Sequence, residues 1–162
     1  MRPLTNDRWG FDSNCFVCER KNDRGLRIPF EHDEERDLVV ASFNLGNEFS
    51  GAPTYLHGGV LLSILDEAMA WAAIAVAGSW AVTQESRASF SSPVRVGRDY
   101  RVEAQIDSAD DESIAASARI VDSKERVCTE ANATFIPLGA AQALDATGAD
   151  LSGHNASFVK GD

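Results

Sequence analysis

Positive charge is scarce in this chain. Fifteen Lys and Arg stand against 25 Asp and Glu, a formal net charge of −10. That balance excludes general nucleic-acid binding, which needs an excess of cations to meet phosphates. A polyanionic ligand would have to find a local basic cluster. Cysteine is scarce as well: Cys15, Cys18 and Cys128 are an odd number, and two of them lie three positions apart, so no disulfide framework is expected. Cys15-x-x-Cys18 has the spacing of half a zinc site. No second pair completes it, and His32, His57 and His154 are scattered, so reduced thiols and no metal are expected. The longest uninterrupted apolar run, Ala68–Ala77, is too short to span a bilayer. Met1–Trp9 contains no apolar export segment. The expectation is a cytoplasmic protein with no membrane partner. No Gly-x-Ser-x-Gly is present either, which removes local support for a serine-hydrolase elbow.

What is present is enough for a real core: 162 residues, 44% hydrophobic and 25% charged, the size and composition of one globular domain. Residues 1–24 are polar and punctuated, and read as a loop segment that carries at most a short helical turn. Residues 25–138 hold every strong pattern. Gly25–His32 alternates weakly and Asp33-Glu-Glu-Arg36 turns it into Asp37–Phe43 as a hairpin. Asn44–Leu56, with Gly46, Asn47, Ser50, Gly51 and Pro53, predicts an irregular loop. Residues 139–162, rich in Ala, Gly, Asp and Ser, predict a flexible tail.

The clearest element is a helix over Gly58–Ala77. Its apolar positions Leu61, Ile64, Leu65, Ala68, Ala72 and Ala75 recur in threes and fours, and Gly78 is a natural stop. Asp66 and Glu67 are its only charges, so it should be wrapped on most sides. Beyond Gly78 the period changes to two. In Trp80–Phe90, Val82, Gln84, Ser86, Ala88 and Phe90 share one face and Thr83, Glu85, Arg87 and Ser89 the other. Segments around 101–106, 114–120 and 127–135 alternate likewise, with turns at Pro93–Gly97, Asp107–Glu112 and Asp122–Lys124. Four such strands with short links read as an antiparallel meander. The order β-β-α-β-β-β-β predicts an α+β fold in which a long antiparallel sheet wraps around one central helix.

His57-Gly-Gly-Val-Leu-Leu-Ser-Ile-Leu-Asp-Glu67 carries the chemistry. Glycines at the mouth of an apolar helix expose backbone N–H groups at its positive end, where an oxyanion is held. Asp66, nine residues after His57, is placed to act as general base or nucleophile. Together they point to acyl transfer, with thioester hydrolysis foremost. His57 also suits simple capping, and Gly58-Gly59 close helix–sheet packing.

This motif in this element order resembles the hotdog-fold acyl-CoA thioesterases, in particular the phenylacetyl-CoA type and its thioesterase-superfamily relatives. Three further stretches look alike. Asn14-Cys-Phe-Val-Cys-Glu-Arg-Lys-Asn-Asp-Arg-Gly-Leu-Arg-Ile28 is similar to the N-terminal opening of many members. Gly51-Ala-Pro-Thr-Tyr-Leu-His57 is similar to the approach to their helix, and Phe90-Ser-Ser-Pro-Val-Arg-Val-Gly97 to the turn between strands. The likeness covers roughly residues 14–137. It implies Asp66 as general base or nucleophile, the Gly58 N–H as the group that polarises the carbonyl, and Thr83, ten residues before Pro93, as a partner of the acid or the water. His57 and Gly59 belong to the same motif. Two departures stand out: Gly51 and Ser50 occupy positions where many members carry Asn, Gln or Glu, so the water-orienting amide is missing or comes from Asn47 or elsewhere, and Glu67 is a second carboxylate. Neighbours on a helix point about 100° apart, so only one acid faces a given pocket, and spacing favours Asp66.

Gly58 and Asp66 are eight residues apart, about 12 Å along a helix, whereas reacting atoms must approach to about 3–3.5 Å. One site therefore takes Gly58 from one subunit and Asp66 from another, which predicts a homodimer; the resemblance implies a homotetramer. The implied substrate is an acyl-CoA or acyl-carrier thioester, with no cofactor. Gly59, Glu67, Arg87 and Arg95 are candidate substrate contacts; Arg87, Arg95, Arg98 and Arg101 suit the phosphates of coenzyme A, though they equally suit a solvated surface. Trp71, Trp80, Phe49 and Tyr55 are candidates to line an acyl pocket. Two other functions fit the same residues: a hotdog-fold enoyl hydratase or dehydratase using His57, and a non-catalytic acyl-CoA-binding protein.

Overall fold

Alternation and turn chemistry sort the chain into short strands before one helix and long strands after it. The computed structural model describes residues 1–151, 153 and 155–160. Its elements are β1 (Arg2–Pro3), β2 (Glu31–Asp33), β3 (Leu38–Phe43), β4 (Ser50–Ala52), β5 (Tyr55–Leu56), α1 (Gly58–Ala75), β6 (Ala81–Phe90), β7 (Tyr100–Ala109), β8 (Ile114–Asp122), β9 (Val127–Pro137) and α2 (Ala140–Thr147). Seven strands form one antiparallel sheet in the order β1-β2-β3-β7-β8-β9-β6, and β4 and β5 form a separate two-stranded ribbon.

The α+β expectation holds, with α1 at the centre packed against β3, β6, β7, β8 and β9. Ile64, Leu65, Ala68, Met69 and Ala72 are fully buried on it, against Val39, Val102, Ile114, Ile120 and Phe135 of the sheet. Eighteen residues of mean hydropathy 1.4 equal a membrane span in length and apolarity; here the sheet buries one side of the helix, and 44% of that stretch lies inside the fold. The helix ends where Gly78 takes a left-handed φ of 70° and the Ser79 N–H reaches the Ala73 carbonyl, a conformation in which a side chain is strained.

Three expectations change. The four long strands are not a meander in chain order: β7, β8 and β9 are, but β6 pairs with β9 and lies at the far edge. The link 91–99 therefore crosses from one side of the sheet to the other. The hairpin is shorter than predicted, since only Glu31–Asp33 pairs with Leu38–Val40; Arg27 holds a positive φ of 55°, which breaks the strand before it. The tail carries α2, and Ala143 and Leu151 are buried with Trp9 and Leu138 in a second small core. There Trp9 meets Trp80 and Phe158 edge-on at 5.2 Å. The part of the tail expectation at residues 152, 154, 161 and 162, His154 included, lies outside the described residues.

One irregularity matters for the site. The β6–β9 register shifts between Thr83 and Glu85, a bulge that turns the strand's phase. Ala81 and Ala88 both pack on the core, and Thr83 now faces α1 instead of lying with Glu85 and Arg87 on the polar side.

Candidate active site

Two features of α1 carry the site. At its start, His57 is an exposed N-cap whose Nδ1 accepts the Gly59 N–H at 2.8 Å, which places the ring proton on Nε2. The His57 carbonyl accepts the N–H groups of Val60 and Leu61. The Gly58 N–H is left with no partner among the described residues, at the positive end of an 18-residue helix. A Cβ on Gly59 would stand 3.1 Å from His57 Nδ1, so the second glycine keeps the cap in place. Gly58 faces the ring of Phe90 at the end of β6.

Two turns further along, the bulge places Thr83 so that its hydroxyl donates to Asp66 Oδ1 at 2.8 Å. The other carboxylate oxygen accepts no hydrogen bond among the described residues. A carboxylate with one oxygen fixed and one free is oriented to take a proton from water. Gly58 and Asp66 of one chain remain about 12 Å apart along the axis.

Glu67 points elsewhere. Its Oε1 is in hydrogen-bond contact with Cys15 Sγ at 3.4 Å, on the side of α1 covered by the N-terminal segment. Burial pushes its carboxyl up to about 8, and the neighbouring Cys15 charge adds to this. Cys15 is pulled the other way, to about 5, chiefly by a hydrogen bond from Cys18 and by backbone N–H groups of Cys18 and Val17; Cys18, which keeps its proton in that hydrogen bond and is buried, is pushed up. The sequence left Cys15-x-x-Cys18 without a third donor; the fold supplies one from α1.

The predicted arginines do not gather at Asp66. Arg87 is exposed on β6 and pairs with Glu85. Arg95 lies over the Tyr55 ring at 4.9 Å in the link before β7. Arg101 is held by Glu103 and Glu125. Arg95 and Arg98, with Lys124 and Arg126, line a cleft of about 620 Å³. It adjoins the chain entering α1, because the Leu56 N–H donates to the Val94 carbonyl. Asn47 is exposed at the start of a short 3-10 turn. The four candidate aromatics are dispersed: Trp71 lies in a cleft with Leu4 and Phe30, Trp80 in the second core, Tyr55 against Arg95 and Phe49 on the edge of the main core. The local sequence signal missed the bulge and the Cys–Glu contact, since both depend on segments distant in the chain.

A long antiparallel sheet around one apolar helix, with the helix start and a mid-helix acid exposed to chemistry, is the hotdog fold. Solved structures bear this out. A thioesterase superfamily protein aligns at a TM-score of 0.66 and 21% identity, over 71% of this chain and 58% of that one. A hypothetical thioesterase from Streptococcus pneumoniae, solved with coenzyme A, aligns at 0.62 and 19%, over 68% and 86%. The Escherichia coli PaaI protein from the phenylacetic acid degradation operon aligns at 0.58 and 20%, over 61% and 75%. The chain thus spans 58% of the length of the first of these. No curated protein matches the sequence significantly. Residues 54–129, from the approach to α1 into β9, match the family model of the thioesterase superfamily.

Proposed function

We propose that the protein hydrolyses acyl-CoA or acyl-carrier thioesters, with Asp66 as the catalytic carboxylate. The observation that carries this reading is the Thr83–Asp66 hydrogen bond, which fixes one carboxylate oxygen and leaves the other for water. The unpartnered Gly58 N–H is the matching oxyanion donor. A coenzyme A–bound structure with the same fold supports the substrate class.

In this mechanism the thioester carbonyl oxygen accepts the Gly58 N–H. The free oxygen of Asp66 removes a proton from water as the water oxygen attacks the carbonyl carbon. The tetrahedral oxyanion collapses, the C–S bond breaks, and the coenzyme A sulfur leaves and takes up a proton. The acid departs as carboxylate, and Asp66 returns its proton to solvent. Because Gly58 and Asp66 of one chain are too far apart to share a carbonyl, the site forms between two copies, Gly58 from one and Asp66 from the other. The edge strand β6, which leaves Val82 and Phe90 about half exposed, supports a homodimer contact beside both residues, and a further pairing to a tetramer accords with the resemblance. The cleft beside the helix start, where Arg95, Arg98 and Lys124 outnumber Asp99 and Arg126 is paired with Asp122, is the surface that suits the phosphates of coenzyme A.

The test is a chromatographic measurement of coenzyme A release from short, medium, long and aromatic acyl-CoAs, with sizing at the assay concentration. Turnover of at least one class by a dimer or larger assembly is expected. No turnover of any class, or full activity in a monomer, contradicts the reading. Arg98→Ala is expected to raise KM about tenfold with kcat little changed, the loss of one charge-assisted contact.

A further inference from the structure

We propose that Cys15, Cys18 and Glu67 form a divalent-metal site of the zinc class, which fastens the N-terminal segment to the central helix. This does not rest on the hydrolase reading. One donor atom from each residue lies within 4.8 Å of the others. Cys15 Sγ and Glu67 Oε1 are 3.4 Å apart, close to the roughly 3.6 Å that tetrahedral zinc bond lengths set between a thiolate sulfur and a carboxylate oxygen. Three side chains of donor types zinc takes thus converge, one pair already at the separation a shared ion needs and the third donor within 4.8 Å.

The turn that presents the sulfurs is built for a charged ligand. The N–H groups of Val17 and Cys18 both point at Cys15 Sγ, at 3.3 and 3.5 Å, and such amides support a thiolate that carries a metal. The turn is itself tied down: Glu19 N–H donates to the Cys15 carbonyl, Leu26 N–H to Phe16 and Ile28 N–H to Val17. Glu67 comes from the central helix α1. No ion pair reaches any of the three groups among the described residues, so no side-chain cation already answers the carboxylate. A cleft of about 380 Å³ lined by Asn6, Cys18 and Trp71 gives an ion a route from solvent. Three protein donors leave one position of a four-coordinate ion for water. Glu67 leans away from the Thr83–Asp66 pair, which makes the site a clamp on the N-terminal segment and not a part of the hydrolytic centre. Binding displaces the thiol protons to solvent.

The test uses the full chain, stripped by chelator under reducing conditions and titrated with cobalt(II), then with zinc(II). One equivalent of cobalt is expected to give thiolate charge-transfer and tetrahedral ligand-field bands, which zinc abolishes. Stripping is expected to lower the melting temperature, and zinc to restore it. Cys18→Ser and Glu67→Gln are each expected to weaken binding at least tenfold, while Cys128→Ser, on β9 away from the site, leaves it unchanged. If either ligand variant fails to fold, the wild-type cobalt spectrum still decides. Absence of thiolate bands overturns the proposal, as does binding unaffected by Cys18→Ser in a folded protein. A Cys15–Cys18 disulfide in place of metal uptake, seen as a loss of two hydrogens in the intact mass, overturns it too.

Discussion

At the residue scale, the pairing of Asp66 with Thr83 is the most specific feature of the molecule. The hydroxyl donates to a charged acceptor, a bond of about 1.5–3 kcal/mol. Thr83→Ala is therefore expected to lower kcat by tenfold or more with KM little changed, and Thr83→Ser to recover most of the loss; equal effects of both variants would mean that Thr83 serves packing alone. His57 makes a different contribution. Its Nδ1 caps the helix through Gly59, so His57→Ala is expected to destabilise the protein by about 1 kcal/mol, read as a shift of the urea midpoint at unchanged slope. Asp66 was legible in the sequence because it is one of two charges on an apolar helix. Thr83 was legible only by its distance from Pro93, and strand alternation set it on the wrong face. A bulge is a mismatch with a partner strand, here β9, and the residues of β6 alone do not encode it.

At the scale of elements, α1 is where sequence and structure agree best, because a period of 3.6 is a local property. Its cost of disruption follows from burial. Leu65 is fully buried, and Leu65→Ala is expected to cost about 2–5 kcal/mol in equilibrium unfolding; a cost below 1 kcal/mol would contradict the packing described. Strand order was less legible. Four alternating segments with short links suit a meander, and nothing local says that β6 must cross to β9. What decides it is the central helix: sheet is needed on both sides of α1, and β6 closes the far side. The same nonlocality hid the third donor beside Cys15 and Cys18, since Glu67 lies 52 positions beyond Cys15. The second core around Trp9 was hidden likewise, because it joins the two ends of the chain.

At the scale of the whole molecule, the acidic excess is organised rather than uniform. Glu103 on β7 is buried but bridged by Arg101 and Arg119. Burial alone would push its carboxyl up; the hydrogen bonds from Arg119 and Arg101 outweigh it and hold it below the usual range. A carboxyl depressed on folding stabilises the protein above its unfolded pKa, and that contribution is lost as pH falls through the folded value. Stability is thus expected to fall below about pH 4, and Glu103→Gln is expected to flatten this limb; an unchanged acid limb would show that the network does not contribute. The composition bounded such behaviour only in outline, since net charge says nothing about which carboxylates are paired. The account of function depends on a single group within this assembly, and one comparison tests it most directly: kcat for coenzyme A release by wild type and by Asp66→Asn, on the acyl-CoA that wild type turns over fastest. The expected result is a loss of at least about a hundredfold in a variant that keeps its fold and assembly state. Undiminished turnover by Asp66→Asn would contradict the assignment of the catalytic carboxylate.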